Sequence, residues 1–584
     1  MLIFLLNVFI GGVIAVKPLD ARSNRTINQA EKIKRREKAP KFMNRLKYLI
    51  FLVMIVAFFM IGATIVHQGG WENLRQLPEG CLPKPINDSV LVIAAIPFAE
   101  DKAKGVSKPT WSEVEAALPI LKEVGVDAIF LWAPYERAKP VDKITVYTCK
   151  GEMQLKLRWG LQAKNFLRPD PDRGSEDEFL HMIKTAHSLG IKVIPQLCIL
   201  SSIPGDFIHE EHPEWILKSI YGKHAVMWPW ASTGWGYSVN KAHPDLIKYV
   251  TEVIIPHWIN RWGADGVFLD APNVAYCDLH MRDILKDMEE KGLLAEGFEC
   301  LTPVDGYYGP EPLVKAMKAK IDELKRELGK DLIFAGENTF KTWQDVPDEL
   351  IIEVSKGNIW KFLTYPAMDR SQGKYFDWVW GYNFRSLLKE VYNCGEASYS
   401  ENYVKYFEIE RELDAKYTEI ARFVNMWNSL MPFTDLLRPE VAGCYITLTV
   451  TAPGKVVWIG VYQLPPQNNI IKEWNGKVLI EWYKRLISIK KGYSALQSKN
   501  IENALISPRI PRLIAYNRWD ANTSVTVIVN AGNEHVTANI KTRFHGDSVR
   551  LIDLLSAEII CGKPESLRVE MPPRSARILV EYGK

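Results

Sequence analysis

Two carboxylates stand where short β-rich runs end. Asp270 closes the run Gly266-Val267-Phe268-Leu269-Asp270, and Glu337 follows Phe334-Ala335-Gly336. Parallel barrels keep their chemistry in polar residues just after the strands. The bland alternative is ordinary strand-end polarity. The chain also holds 19 Trp. Core packing accounts for most of them, but indole faces also suit the apolar faces of pyranose rings. Trp228, Trp230, Trp235 and Tyr237 cluster in the loop before the helix-and-strand unit that ends at Asp270, where they either line a sugar cleft or pack the loop.

The elements that must position these groups alternate. Val90–Pro97, Val126–Trp132, Ile191–Leu197, Gly266–Asp270 and Leu332–Ala335 read as strands. Between them Trp111–Val124, Glu176–Leu189, Pro244–Trp262 and Leu313–Leu328 have helical spacing, the first two ending at Gly125 and Gly190. Repeated βα units predict a parallel sheet, open or closed. After about residue 500 the pattern changes. Leu513–Tyr516, Ser524–Asn530, Val536–Ile540 and Ser575–Glu581 are short alternating runs with no helix between them, which predicts an all-β domain.

Several stretches, in one order, resemble the α-amylase family (glycoside hydrolase family 13) over roughly residues 90–582. Gly125–Pro134 is similar to its second strand. Trp159-Gly160-Leu161, Asn165-Phe166 and Pro171 through Gly190–Ile194 are similar to the segment leading into its third. Trp258-Ile259 with Asp265–Asp270 resembles the fourth-strand motif, and Phe334–Glu337 the fifth. Trp482–Leu486 through Ala495-Leu496 resembles the helix before the family's C-terminal β domain. The resemblance implies a (β/α)8 TIM barrel over 89–500 and a small β-sandwich over 501–584. It also implies a retaining mechanism, with Asp270 as nucleophile and Glu337 as general acid/base. Such a pair lies ~5–5.5 Å apart. The acid needs a raised pKa, for which Trp343 and Trp360 are candidate apolar walls. Trp132, Asn273, Asn338 and Asn428 join the aromatic cluster as candidate substrate contacts.

The departures from the family pattern are as informative. Its Arg two residues before the nucleophile is Phe268, and its His four residues after is Val274. The third-strand motif is Gln196-Leu197-Cys198-Ile199-Leu200-Ser201, and the Tyr that stacks under the sugar is Leu161. Near Met426-Trp427-Asn428 only Asn428 approaches the seventh-strand His-Asp pair. With the third-strand Asn and Asp gone, no metal site is expected, and no cofactor either. Two functions remain. One is a glycosidase or transglycosidase for α-linked oligosaccharides with an altered site. The other is a non-catalytic ectodomain that binds sugar or stabilises a membrane-protein partner, as transporter heavy chains do. Other barrel glycosidases, such as the α-galactosidases, also place a nucleophilic Asp after the fourth strand.

Charge and hydropathy address location. Residues 17–47 hold eleven Lys/Arg against three acids, a net +8 in a chain whose total is +4. The body is therefore acidic, and a nucleic-acid-binding role is not expected. Tyr48–Val66 carries no charge over 19 residues, long enough to cross a ~30 Å hydrocarbon core as a helix. The basic flank places residues 1–47 on the cytoplasmic side and the body outside. Met1–Val16 is either a second span or the product of a start codon set too early. Residues 67–88, with Gly69-Gly70 and three Pro, read as a stalk. The eight Cys show neither a CxxC pair nor zinc spacing.

Overall fold

Aspartates at the start of alternate strands organise the body. The computed structural model describes residues 74–78, 81, 85–86, 92–96, 108–148, 151–157, 160–218, 222–225, 233–234, 236–270, 311–338, 375–381, 401, 403–404, 407, 419–423, 439–458 and 476–582. All belong to one unit, residues 68–584. Eight strands form its centre: β1 (Val92–Ile96), β2 (Ala128–Leu131), β3 (Lys192–Leu197), β4 (Gly266–Leu269), β5 (Ile333–Asn338), β6 (Trp378–Gly381), β7 (Glu419–Phe423) and β8 (Lys455–Trp458). They pair in parallel in chain order, and β8 returns to β1, so the barrel is closed.

Asp127, Asp265 and Asp377 stand just before β2, β4 and β6. Their carboxylates accept from the backbone N–H of Val92 (3.0 Å), Val193 (2.7 Å) and Phe334 (2.8 Å), at the starts of β1, β3 and β5. In return their own N–H groups donate to the carbonyls of the same three residues. The carbonyls of Asp127 and Asp265 also accept from Lys192 and Ile333, so each of these two aspartates ties the strand on either side. Strands otherwise free to slip are thereby held in one register.

The helices between strands begin and end as their sequences dictate. Helices α1 (Trp111–Val124) and α2 (Glu176–Ser188) open with capping boxes, Thr110 with Glu113 and Ser175 with Glu178. Gly125 closes α1 in the left-handed region, φ 97°. Helix α3 (Glu311–Leu328) leads into β5 and buries Leu313, Val314, Met317, Ile321 and Leu324. The stretch Pro244–Trp262 differs from the single α-helix its spacing predicts. It is α-helical over Pro244–Tyr249, then turns with wider π hydrogen bonding over Val250–Ile254 and His257–Trp262. Pro256 lies between the two wide segments and has no N–H for the i→i−4 ladder.

Beyond β8, helix α4 (Gly476–Gly492) leads to the C-terminal β domain. Six strands form one sheet and three another, with Leu513, Ile528, Ile540, Leu551, Leu567 and Leu579 packed together between them. Buried Arg518 fastens this domain to the barrel. Its guanidinium donates to the carbonyls of Asn500 (2.8 Å), Ser498 (2.6 Å), Leu496 (3.2 Å) and Thr451. The described part of the segment read as a stalk is docked on the body. Arg75 N–H donates to the Leu555 carbonyl, Tyr493 donates to that of Cys81, and Ile86 N–H to that of Lys491. Leu74, Leu77 and Cys81 pack on the core, which local composition cannot reveal.

Among the described residues no helix is long and apolar enough to cross a membrane. Tyr48–Val66 lies outside the described residues, as do Trp228, Trp230, Trp235, Asn273, Val274, Trp343, Trp360 and Asn428.

Asp265→Ala should leave Val193 N–H and the His187 ring, 2.8 Å away, without their acceptor. A loss of about 1–3 kcal/mol is expected, read as a lower denaturant midpoint with unchanged slope.

Candidate active site

The register of β4 and β5 decides where the two carboxylates lie. Phe268 pairs with Ala335 and Leu269 with Gly336, so Asp270 and Glu337 occupy the next row. On the other side Phe268 pairs with Gln196 and Leu269 with Leu197. Asp270 N–H extends that ladder to the Leu197 carbonyl (2.9 Å), which sets Asp270 beside Cys198. Side chains alternate along a strand. Phe268 points into the barrel, because its ring meets Phe130 of β2 at 4.8 Å and Trp378 of β6 at 6.0 Å. Two residues on, Asp270 faces the same way, and so does Glu337 two residues after Ala335. Cys198, Asp270 and Glu337 thus form one inward row at the C-terminal end of three successive strands, above an aromatic floor.

Asp270 is 7 % exposed and Glu337 is half-buried. The fully buried Cys198 thiol is hydrogen-bonded to Asp270. Burial first, and then the Asp270 charge, hold its pKa well above the ordinary thiol value. Tyr135 lies on the same side. Its hydroxyl donates to the Leu161 carbonyl at 2.9 Å, and its pKa is raised by burial and by the charges of Cys198 and Asp270. Gln196 accepts from Ala133 N–H at 3.0 Å, and Ala133 is held at φ 37°. Its buried amide nitrogen has no partner among the described residues.

Among the described residues a buried lysine near this row is Lys241, which sequence reasoning missed. It is 2 % exposed. Burial lowers its pKa to about 8, against the opposing pull of Asp270, Cys198 and Glu337. It stands in the turn between a short strand, Tyr237–Ser238, and the helix that starts at Pro244. That strand pairs with Ser201–Ser202, just after β3. A lysine at a helix entrance is usually solvated, and nothing local marks this one as buried.

The other predicted contacts separate. Trp132 is buried at the end of β2, its ring 6.2 Å from Phe130. Tyr237 is buried as well. Its hydroxyl donates to the Thr145 carbonyl (3.2 Å) and its ring stacks on His209 at 6.0 Å. Leu161 is buried with its carbonyl taken by Tyr135. The backbone of Asn338 closes β5. A calcium site of the family's kind does not fit the third strand. Gln196 is engaged by Ala133, and Cys198 offers sulfur where calcium takes oxygen. Among the described residues no group of three or more His, Cys, Asp or Glu could hold a metal ion.

The chain has the α-amylase fold. It superposes on the noncanonic maltogenic α-amylase AmyB from Thermotoga neapolitana with a TM-score of 0.56 at 13% identity, over 85% of this chain and 99% of that one. The α-amylase from Lactobacillus plantarum gives 0.55 at 14% identity, over 85% and 99%. AmyP in complex with maltose gives 0.53 at 12% identity, over 85% and 97%. No protein-family model and no curated protein matches the sequence.

Asp270→Asn removes a charge that raises the Cys198 thiol. Its ionisation should shift to lower pH, seen as earlier thiolate absorbance in a difference titration against the unaltered protein. An unchanged titration would mean the two groups are not in contact.

Proposed function

We propose that the barrel is a glycoside hydrolase or transglycosidase acting on α-linked oligosaccharides with retention of configuration. The observation that carries this reading is the pairing of Leu269 with Gly336, which makes Asp270 and Glu337 inward-facing neighbours on adjacent strands. Neighbouring strands lie about 4.8 Å apart, which suits the ~5–5.5 Å carboxylate separation of a retaining site. The fold shared with a maltose-bound amylase supports a carbohydrate substrate.

In this reading the Asp270 carboxylate attacks the anomeric carbon while Glu337 gives its proton to the departing oxygen. Glu337, now a base, then takes a proton from water or an acceptor sugar. That oxygen attacks the same carbon and releases Asp270. The aromatic floor of Phe130, Phe268 and Trp378 lowers the local polarity beneath the carboxylates, which strengthens every charge interaction above it.

Phe268 in place of an arginine favours the second reading, a non-catalytic sugar-binding or partner-stabilising domain. One experiment separates the two. The full chain is incubated with maltooligosaccharides and with aryl α-maltosides. Hydrolysis or transfer should be abolished in Asp270→Asn. Glu337→Gln should lose about 10²–10⁴ in rate on the oligosaccharides, and far less on an aryl glycoside whose leaving group needs little protonation. Turnover that survives Asp270→Asn would overturn the assignment of Asp270 as nucleophile, and sugar binding with no turnover would favour the second reading.

Residues 48–66 are proposed as the membrane span, with the body outside. The charge-free 19-residue run and its +8 flank support this. Protease added to intact cells should then digest the body and leave the basic segment protected. A body protected from the protease would exclude this topology.

A further inference from the structure

We propose that Asn522, in the loop of an exposed hairpin of the C-terminal β domain, is an N-glycosylation site. The proposal rests on the topology proposed above, which puts the body outside the membrane, and it is independent of the hydrolase reading.

The chain offers the triplets Asn24-Arg25-Thr26, Asn87-Asp88-Ser89 and Asn522-Thr523-Ser524, each of the form Asn-X-Ser/Thr with X other than Pro. Such triplets arise often by chance. They become acceptors where the asparagine is displayed on a surface loop outside the cell. Asn24 lies in the basic segment ahead of the span, on the side opposite the body. Asn24 and Asn87 fall outside the described residues. Asn522 is described, and its setting meets what the modification needs.

Strands Leu513–Trp519 and Ser524–Asn530 pair antiparallel, with Trp519 opposite Ser524. Asp520-Ala521-Asn522-Thr523 joins them. Asp520 sets the shape of this loop. Its N–H donates to the Thr523 carbonyl (3.0 Å), and its carboxylate accepts from the N–H groups of Asn522 (2.8 Å) and Thr523 (2.7 Å). The Thr523 hydroxyl is turned to the body, where it accepts from Ala495 N–H (3.2 Å). The middle residue of the triplet therefore anchors the loop, while Asn522 is exposed. Among the described residues neither the Asn522 carboxamide nor the Ser524 hydroxyl makes a hydrogen bond, so the two groups that define an acceptor are both uncommitted. A sugar on Asn522 displaces no buried contact. Half-buried Trp519, at the base of the same hairpin, gives the first pyranose an aromatic neighbour.

The modification is a group transfer. The Asn522 amide nitrogen attacks the anomeric carbon of an oligosaccharide carried on a polyprenyl phosphate lipid. A C–N bond forms and the C–O bond to the carrier phosphate breaks. The phosphate leaves with the electron pair, and the amide nitrogen gives up one proton to the transferring enzyme.

The test uses the full chain, made in cells that N-glycosylate a co-expressed reporter, then purified, digested and mapped by tandem mass spectrometry. The peptide holding Asn522 should carry an oligosaccharide mass located on that asparagine. Asn522→Gln and Ser524→Ala should each lose the sugar completely, the second without removing the acceptor nitrogen. Ser524→Thr should keep it, because the hydroxyl is retained. Near-UV circular dichroism of the variants checks that they are folded. A bare Asn522 in a protein whose body is digested by protease outside intact cells would overturn the proposal. A sugar that persists in Ser524→Ala would overturn it as well, since attachment would then not depend on the triplet. A bare Asn522 in a body protected from the protease, or a sugar on Asn24, would instead overturn the topology and the proposal with it.

Discussion

The exchange of hydrogen bonds between each rim aspartate and a residue at the start of the preceding strand is the constraint on which the rest depends. A parallel barrel has no tight hairpins to set its register. Each strand arrives by a long crossover, and a slip of one residue turns every inward side chain outward. Asp127, Asp265 and Asp377 close that freedom at the starts of β2, β4 and β6. The register fixed at one end is delivered along a few residues of strand to the other, where it makes Asp270 the neighbour of both Cys198 and Glu337. The candidate site is thus set by bonds made at the opposite rim.

Above the floor the described residues mix apolar rings with a few weakly polar groups. Phe268 fills space with Phe130 and Trp378. Gln196 turns its carbonyl oxygen to the backbone of Ala133, and Cys198 lends Asp270 a weak neutral donor. In a setting of low polarity each charge counts for more.

Much of this was legible in the sequence because it is local. Trp111–Val124 and Glu176–Leu189 carry helical spacing, and Gly125 marks a helix end. Asp270 and Glu337 stand at strand ends that the β-rich runs announce. What was not legible is tertiary. Pro244–Trp262 has one continuous apolar period, and only the hydrogen-bonding pattern shows how Pro256 is accommodated. Lys241 sits beside an Asn in a turn, a place where lysines usually meet water, and only the packing of two distant segments buries it. Leu74 and Leu77 lie in a stretch rich in Pro and Gly, and no periodicity signals that they find a surface to cover.

The docked entry of the chain has a mechanical consequence. Ile86 is bonded to the carbonyl of Lys491, whose ammonium reaches Asp127 (2.5 Å) and the Gly125 carbonyl (2.7 Å) at the starting rim of the barrel. Arg75 is gripped by Leu555 and by the Arg485 guanidinium (3.0 Å). Tension arriving along the polypeptide from its N-terminal side is therefore taken up by α4, the C-terminal β domain and the base of β2. The load path ends there, a full strand length from the tips that carry Asp270 and Glu337. A pull from the N-terminal side would strip the first few docked residues before it strained the positions of Asp270 and Glu337.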